Sequence, residues 1–443
     1  LLDSRPTVRE RLARRLAASA ACREGGEECR RRLDDARSRC SLRVERIPLD
    51  GLARWTSARA SGDLVHESGR FFAVRGLDVR TTYGRVPAWS QPIIHQPEEG
   101  ILGFLVSERN GILHFLVQLK AEPGNAGVVQ LSPTVQATPS NYLRVHRGGD
   151  VPYLDYFTGR RSARVLVDVP QSENGSWFLG KRNRNMLVET DDDVEHDEAF
   201  AWLTLGQIHE LLRRPNTVNM DARTVLSCLQ LPELDERGAQ CAAWLAAGRT
   251  RYRLGAHLAP LSALRGWRRD DDEIAHESGR YFRIVGVAVD GARREVGSWC
   301  QPLLEPAGEG LVAFAARRIA GELHVLARLD VRPGYRQTVE IGPTVQCTPA
   351  NFADAPARRP EFLDLVLSGE AAVLYDVAHS EEGGRFHHAV TRHLIVEVDD
   401  RLDVRTAPDY FWIAPSQLRA QLRESCRVNI EARSLLACLD SLG

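Results

Sequence analysis

The sequence predicts an α+β protein made of two tandem copies of one domain, and three observations carry the prediction. HESGRFFAVRG at 66–76 returns as HESGRYFRIVG at 276–286, identical at seven of eleven positions. WSQPIIHQPEEG (89–100) and LSPTVQATPSNY (131–142) return at the same offset of 210 as WCQPLLEPAGEG and IGPTVQCTPANF. VLVDVPQSENGSWF (165–178) matches VLYDVAHSEEGGRF (373–386) at an offset of 208. Within each copy, strand signals fill the front and helical signals close the end, which is the α+β pattern.

The elements follow in order. Val8, Leu12 and Leu16 have helical spacing, so residues 1–42 read as a helical arm with no counterpart in the second copy. The first copy covers 43–232, a linker 233–249, and the second copy 250–443. ILGFLV (101–106) and ILHFLVQL (112–119) flank Asn110-Gly111, a pair suited to a type I′ hairpin. VLVDV (165–169) and MLVE (186–189) read as strands. WLTLGQIHELLR (202–213) and NMDARTVLSCL (219–229) read as helices, the second capped by Asn219.

Composition narrows the function. The net charge is -1, which argues against a broad grip on nucleic acid. No apolar run is long enough to cross a membrane, and no apolar signal core opens the chain, so a cytoplasmic protein is expected. The nine cysteines form no CxxC pair and suggest reduced thiols. Lys120 and Lys181 are the only lysines; the excess of arginine reads as codon bias of a GC-rich genome. There is no HExxH, EF-hand loop, P-loop or GxGxxG, so neither a metal nor a nucleotide cofactor is expected.

Four repeated strings carry candidate chemistry. HESGR offers His66 and His276, either as a turn before a strand or as acid–base groups at a sheet mouth. Trp89 and Gln91, with Trp299 and Gln301, could present a flat face and an amide edge to a base or sugar. Gln136, Thr138 and Asn141, with Gln346, Thr348 and Asn351, sit between prolines and suggest a rigid pocket loop. The stretch with Glu173, Trp177, Lys181, Arg182 and Arg184, and its match with Glu381, Glu382, Arg385, His388 and Arg392, reads as a hairpin tip. That tip either faces water or closes over a diphosphate, for which planar guanidiniums are suited.

These strings resemble the NDP-hexose 2,3-dehydratase family. The most specific pieces are WSQPIIHQPEEGILGFLV, SPTVQATPSNY, SENGSWFLGKRNRNM, GPTVQCTPAN and SEEGGRF. The resemblance implies two Nudix-like domains, each a mixed sheet flanked by helices, assembled as a homodimer. It also implies a dTDP-sugar pocket in each half, one catalytic and one accessory. Where members usually read something like FYHAENRY, this chain has FHHAVTRH at 386–393. The Glu-rich metal box of a working Nudix hydrolase is missing from both copies.

The implied reaction is loss of water across carbons 2 and 3 of dTDP-4-keto-6-deoxyglucose, with no redox cofactor. His66, His276, His388, Glu173 and Glu381 are the candidates for acid and base, the histidines first because they titrate near neutrality. A 3-ketoreductase or 3-aminotransferase would take the product onward. Two rivals are a magnesium-dependent nucleotide-sugar pyrophosphatase and a non-catalytic nucleotide-sugar-binding protein.

Overall fold

The computed structural model describes residues 7–139, 151–291, 297–353, 359–399 and 407–443. It is an α+β arrangement of two seven-stranded and two five-stranded sheets with helices packed on them, as the repeats predict. Each seven-stranded sheet is mixed. Strand Arg182–Glu189 runs parallel to Gly100–Arg109, and Val390–Glu397 parallel to Gly310–Ile319, while the other pairings are antiparallel.

Most local expectations hold. The Asn110-Gly111 hairpin joins Gly100–Arg109 to Ile112–Ala121, both turn residues having positive φ (52° and 77°). The arm is helical at Val8–Ala21, with Leu16 fully buried. Asn219 caps helix Met220–Ser227 by accepting from Ala222 N at 2.8 Å. Residues 202–204 do not join the following helix. They end strand Phe200–Thr204, and Thr204 forms a capping box with Gln207 at the start of helix Leu205–Leu212. All nine cysteines are free thiols.

The repeat boundaries need correction. The stretch read as a linker is mostly helix Glu236–Arg251, capped by Asp235. It corresponds to Gly26–Arg39, in the arm that seemed to lack a counterpart. The contacts prove the match. Arg37 donates to the carbonyls of Val129 and Asn216 at 3.1 and 2.7 Å, and Arg249 to those of Val339 and Cys426 at 3.1 and 2.5 Å. At the offset of 212 that pairs Arg37 with Arg249, Gly26, Cys29, Leu33 and Arg39 also recur, as Gly238, Cys241, Leu245 and Arg251, a spaced pattern that a search for contiguous strings passes over.

The repeats also exchange a strand. Arg43–Ile47 pairs with Gly286–Asp290 of the second repeat, and Leu254–Ala259 pairs with Gly76–Thr81 of the first. Each five-stranded sheet is therefore completed by the other copy's opening strand. Helices Met220–Ser227 and Ile430–Asp440 pack together in one hydrophobic core drawn from both repeats.

The two hairpin tips, 173–181 and 381–389, meet between the repeats. Trp177 and Phe178 lie 4.6 and 5.4 Å from Phe386, ring centre to ring centre. Each tip also presses on a loop of the opposite copy. A Cβ on Gly124 would stand 1.6 Å from Phe386 O, and one on Gly334 1.7 Å from Phe178 O. Both obstacles are backbone and cannot swing aside. Gly124→Ala or Gly334→Ala should lose about 2 kcal/mol or more of stability in denaturant melts. Gly297→Ala, with open space around it, should change nothing; equal melts for all three would refute this account of the tip contacts.

Candidate active site

Eight side chains converge where the second repeat's tip enters the first repeat. Gln136, from strand Val135–Ala137, donates to Glu122 Oε1 at 3.0 Å and accepts from Ser132 Oγ at 3.1 Å. Lys120 stands 3.6 Å from the same Glu122 oxygen. Glu173 begins the first tip and accepts from Asn183 Nδ2 at 2.7 Å. Lys181 closes that tip and donates to Glu98 O. Asp221 sits in the first turn of helix Met220–Ser227. Glu382 and Arg385 arrive from the other repeat's tip, Arg385 donating to Gln96 Oε1 at 3.1 Å. Its guanidinium lies over the rings of Phe72 and Phe71, 4.3 and 5.1 Å from their centres.

Burial dominates the electrostatics. It raises the Glu173 carboxyl above its ordinary range, while Arg433, Lys181 and Asn183 pull it back. It lowers the Lys181 ammonium, which Glu173 and Glu382 hold up. Glu382 is pushed up to about 7, and Asp221 well above its usual range with Glu382, Glu173 and Glu122 adding to the burial. Glu122 Oε2 and Glu173 Oε2 are buried without a hydrogen-bond partner. Proton acceptors, a depressed ammonium and a carboxyl poised near neutrality in one place can carry a proton off one atom and onto another.

The equivalent positions in the second repeat have different chemistry. Asp330 replaces Lys120 and Arg332 replaces Glu122; Ala389 replaces Lys181, and Asn174 and Trp177 replace Glu382 and Arg385. Asp330 is closed in by Arg328, Arg332 and Tyr335 at 2.9, 2.9 and 2.7 Å. Asn429 links Tyr335 to Gln346. Glu431, the match of Asp221, is raised to about 8 by burial. Glu381 is buried and also raised, with Arg223 and Thr391 opposing.

The remaining sequence candidates take other places. HESGR is a turn in both copies: His66 and His276 bond Ser68 and Ser278 at 2.8 and 2.7 Å, with Gly69 and Gly279 at positive φ. His66 nevertheless faces Phe71 at 5.6 Å, beside Arg385. His276 faces Tyr281, whose amide donates to Asn351 Oδ1 at 3.2 Å. His388 is exposed, stacked on His387 at 4.1 Å. Thr348 precedes the short helical turn Pro349–Phe352, and Thr138 follows its strand directly. Asn141 lies outside the described residues.

Two expectations are corrected. The amides of Gln91 and Gln301 do not offer a free edge. Each accepts from its tryptophan, Trp89 or Trp299, at 2.7 and 3.0 Å, and donates to a tip carbonyl, Ser176 or Gly384, at 2.9 Å. They anchor the tips. Arg182, Arg184 and Arg392 are not tip residues, because the strands begin earlier than the charge run suggests. Arg184 and Arg392 form two-pronged pairs with Asp168 and Asp376 across the hairpin, and Arg182 bonds Glu99 at 3.0 Å. A fork already filled by a carboxylate is poorly placed to take a diphosphate. Sequence reasoning missed Lys120, Glu122 and Asp221; the repeated VNMDAR and VNIEAR strings were the available signal for Asp221.

The NDP-hexose 2,3-dehydratase model matches residues 27–229 and 238–439, taking in most of both helices paired above. The chain is 46% identical to a "dTDP-4-dehydro-6-deoxy-alpha-D-glucopyranose 2,3-dehydratase" of Amycolatopsis orientalis, covering 99% of this chain and 96% of the relative. A protein of the same name from Saccharopolyspora spinosa is 46% identical over 96% and 97% of the two chains. One from Streptomyces violaceoruber is 48% identical over 90% and 94%. With its duplicated sheets, paired tips and full-length relatives, this chain belongs to the NDP-hexose 2,3-dehydratase family.

Proposed function

We propose that the chain removes water across carbons 2 and 3 of dTDP-4-keto-6-deoxyglucose, and that the first-repeat cluster does the chemistry. One observation carries the choice of repeat. The chain's only two lysines, Lys120 and Lys181, both lie in this cluster, while every other side-chain cation outside histidine is arginine. Composition drift would scatter the survivors. An ammonium shifts its proton affinity on burial and can hand over a proton; a guanidinium cannot.

The 4-keto group acidifies the hydrogen on carbon 3. Glu173 takes that proton, and the electron pair moves onto the carbon 4 oxygen, where Lys181 stabilises it. The enolate returns its electrons, the carbon 2–oxygen bond breaks, and Glu382 delivers the proton with which hydroxide leaves as water. The remaining enol takes a proton at carbon 2 and loses its hydroxyl proton, giving the 3,4-diketo-2,6-dideoxy sugar. Arg385, over Phe71 and Phe72, suits the nucleotide's diphosphate. The second-repeat cluster, with its filled Asp330 network, suits binding without turnover.

The kinship with Nudix folds is part of the same reading, supported by the mixed sheet with a helix laid on it. So are the homodimer, which sedimentation would test, and a 3-ketoreductase or 3-aminotransferase acting next. The function is tested by incubating the protein with dTDP-4-keto-6-deoxyglucose and following loss of one water by mass spectrometry. Turnover should survive EDTA. Release of a sugar phosphate that depends on added magnesium would instead favour a pyrophosphatase, and tight binding without product a binding protein.

A further inference from the structure

Two arginines, Arg223 and Arg433, are wholly buried between the repeats. Arg433 donates to Val428 O at 2.7 Å in its own repeat. Its other two bonds cross over, to Thr224 Oγ1 at 2.9 Å and Ser172 O at 2.6 Å. Arg223 repeats the pattern with Val218 O at 2.6 Å, Ser434 Oγ at 2.6 Å and Ser380 O at 3.0 Å. Ser172 is the last strand residue before Glu173, and its hydroxyl donates to Glu340 Oε2 at 2.6 Å, again across the repeats. The second repeat thus grips the root of the first tip from two sides.

A buried guanidinium is expensive to desolvate, and an apolar side chain would fill a helix interface at lower cost. What the arginine adds is a rigid fork aimed at one carbonyl and a permanent charge. We propose that Arg433 is a positioning residue for the first-repeat site: it holds the backbone from which Glu173 projects and keeps a fixed positive charge behind that carboxylate. The proposal rests on the reading of Glu173 as the base.

The groups around Glu173 set the expected sign. Lys181 and Asn183 face it from its own hairpin and Arg433 from the terminal helix, all favouring the ionised form. Glu382 of the opposite tip and Asp221 of the neighbouring helix share its field, and Glu173 adds to the burial that raises both of them. Arg433→Gln removes one of the favouring charges, so Glu173 should ionise at higher pH. The acid limb of the kcat profile then moves upward, because the base works ionised. Arg433→Lys keeps the charge and loses the fork, so its limb stays in place while kcat falls.

The experiment compares Arg433→Gln, Arg433→Lys, Arg223→Gln and Glu173→Gln for kcat, KM, pH profile and thermal stability. Arg433→Gln is expected to lower kcat about 100-fold with KM moved less than about threefold, and to shift the acid limb upward. Arg223→Gln breaks a matching set of bonds and should melt similarly with its acid limb unmoved. If Arg433→Gln does not fold, Thr224→Val loosens the same fork more gently and should still lower kcat more than it changes KM. A purely architectural arginine would leave kcat and the limb of every folded Arg433 variant at wild-type values, which overturns the proposal. Full activity in Glu173→Gln would instead overturn the assignment of the base, and the two failures are separable.

Discussion

Glu173→Gln and Lys181→Met should each lower kcat by about 10²–10⁴-fold, the usual contribution of a group that takes a proton or holds a developing oxyanion in the transition state. Either change leaves the tip's backbone in place, since Glu173 N bonds Lys181 O at 3.0 Å through main-chain atoms. Binding of dTDP should therefore change little. Glu431→Gln in the second repeat is the control: a buried carboxyl, raised by burial as Glu173 is, on the counterpart of the helix that carries Asp221 and outside the lysine-bearing cluster. It should keep kcat within a few-fold. Single-turnover measurements on the three proteins decide the matter, and a loss confined to Glu431→Gln would move the reaction to the other repeat.

Phe386→Ala should cost about 3–5 kcal/mol of stability, the range for deleting a fully buried aromatic ring. Phe386 is completely enclosed, with Trp177 and Phe178 against it and a core drawn from both repeats around it. Its neighbour Arg385 reaches the first-repeat cluster, so the same cavity should disturb substrate binding and raise KM. Chemical denaturation read by tryptophan fluorescence, with steady-state kinetics on the folded protein, measures both. A variant as stable as wild type would mean that the tips do not depend on each other.

The duplication, the hairpin at Asn110-Gly111 and the cap at Asn219 were legible because each is a local pattern in the chain. The strand exchange was not, since nothing in RVERI or LGAHLA names the sheet it will join. The candidate site was half legible. Glu173, Lys181, Gln136 and Arg385 stood in repeated strings, but strings align like with like. They paired Arg385 with the second copy, whereas the fold carries it into the first. Lys120, Glu122 and Asp221 lay in plain strand and helix sequence, and only tertiary packing gathers them. Arg184 and Arg392 misled because a charge run near aromatics looks the same whether it meets a ligand or an aspartate across the hairpin.

The exchanged strands set a timetable for synthesis. Arg43–Ile47 leaves the ribosome early, but its partner Gly286–Asp290 is made only after the whole first repeat. Until then the early strand carries open hydrogen-bonding groups, and the first repeat's own sheet waits for Leu254–Ala259. Nascent chains in this interval present bare sheet edges, which favours pairing with other chains and engagement by chaperones. Halves of the protein made separately would each carry a strand belonging to the other, and would reach the native state only when mixed.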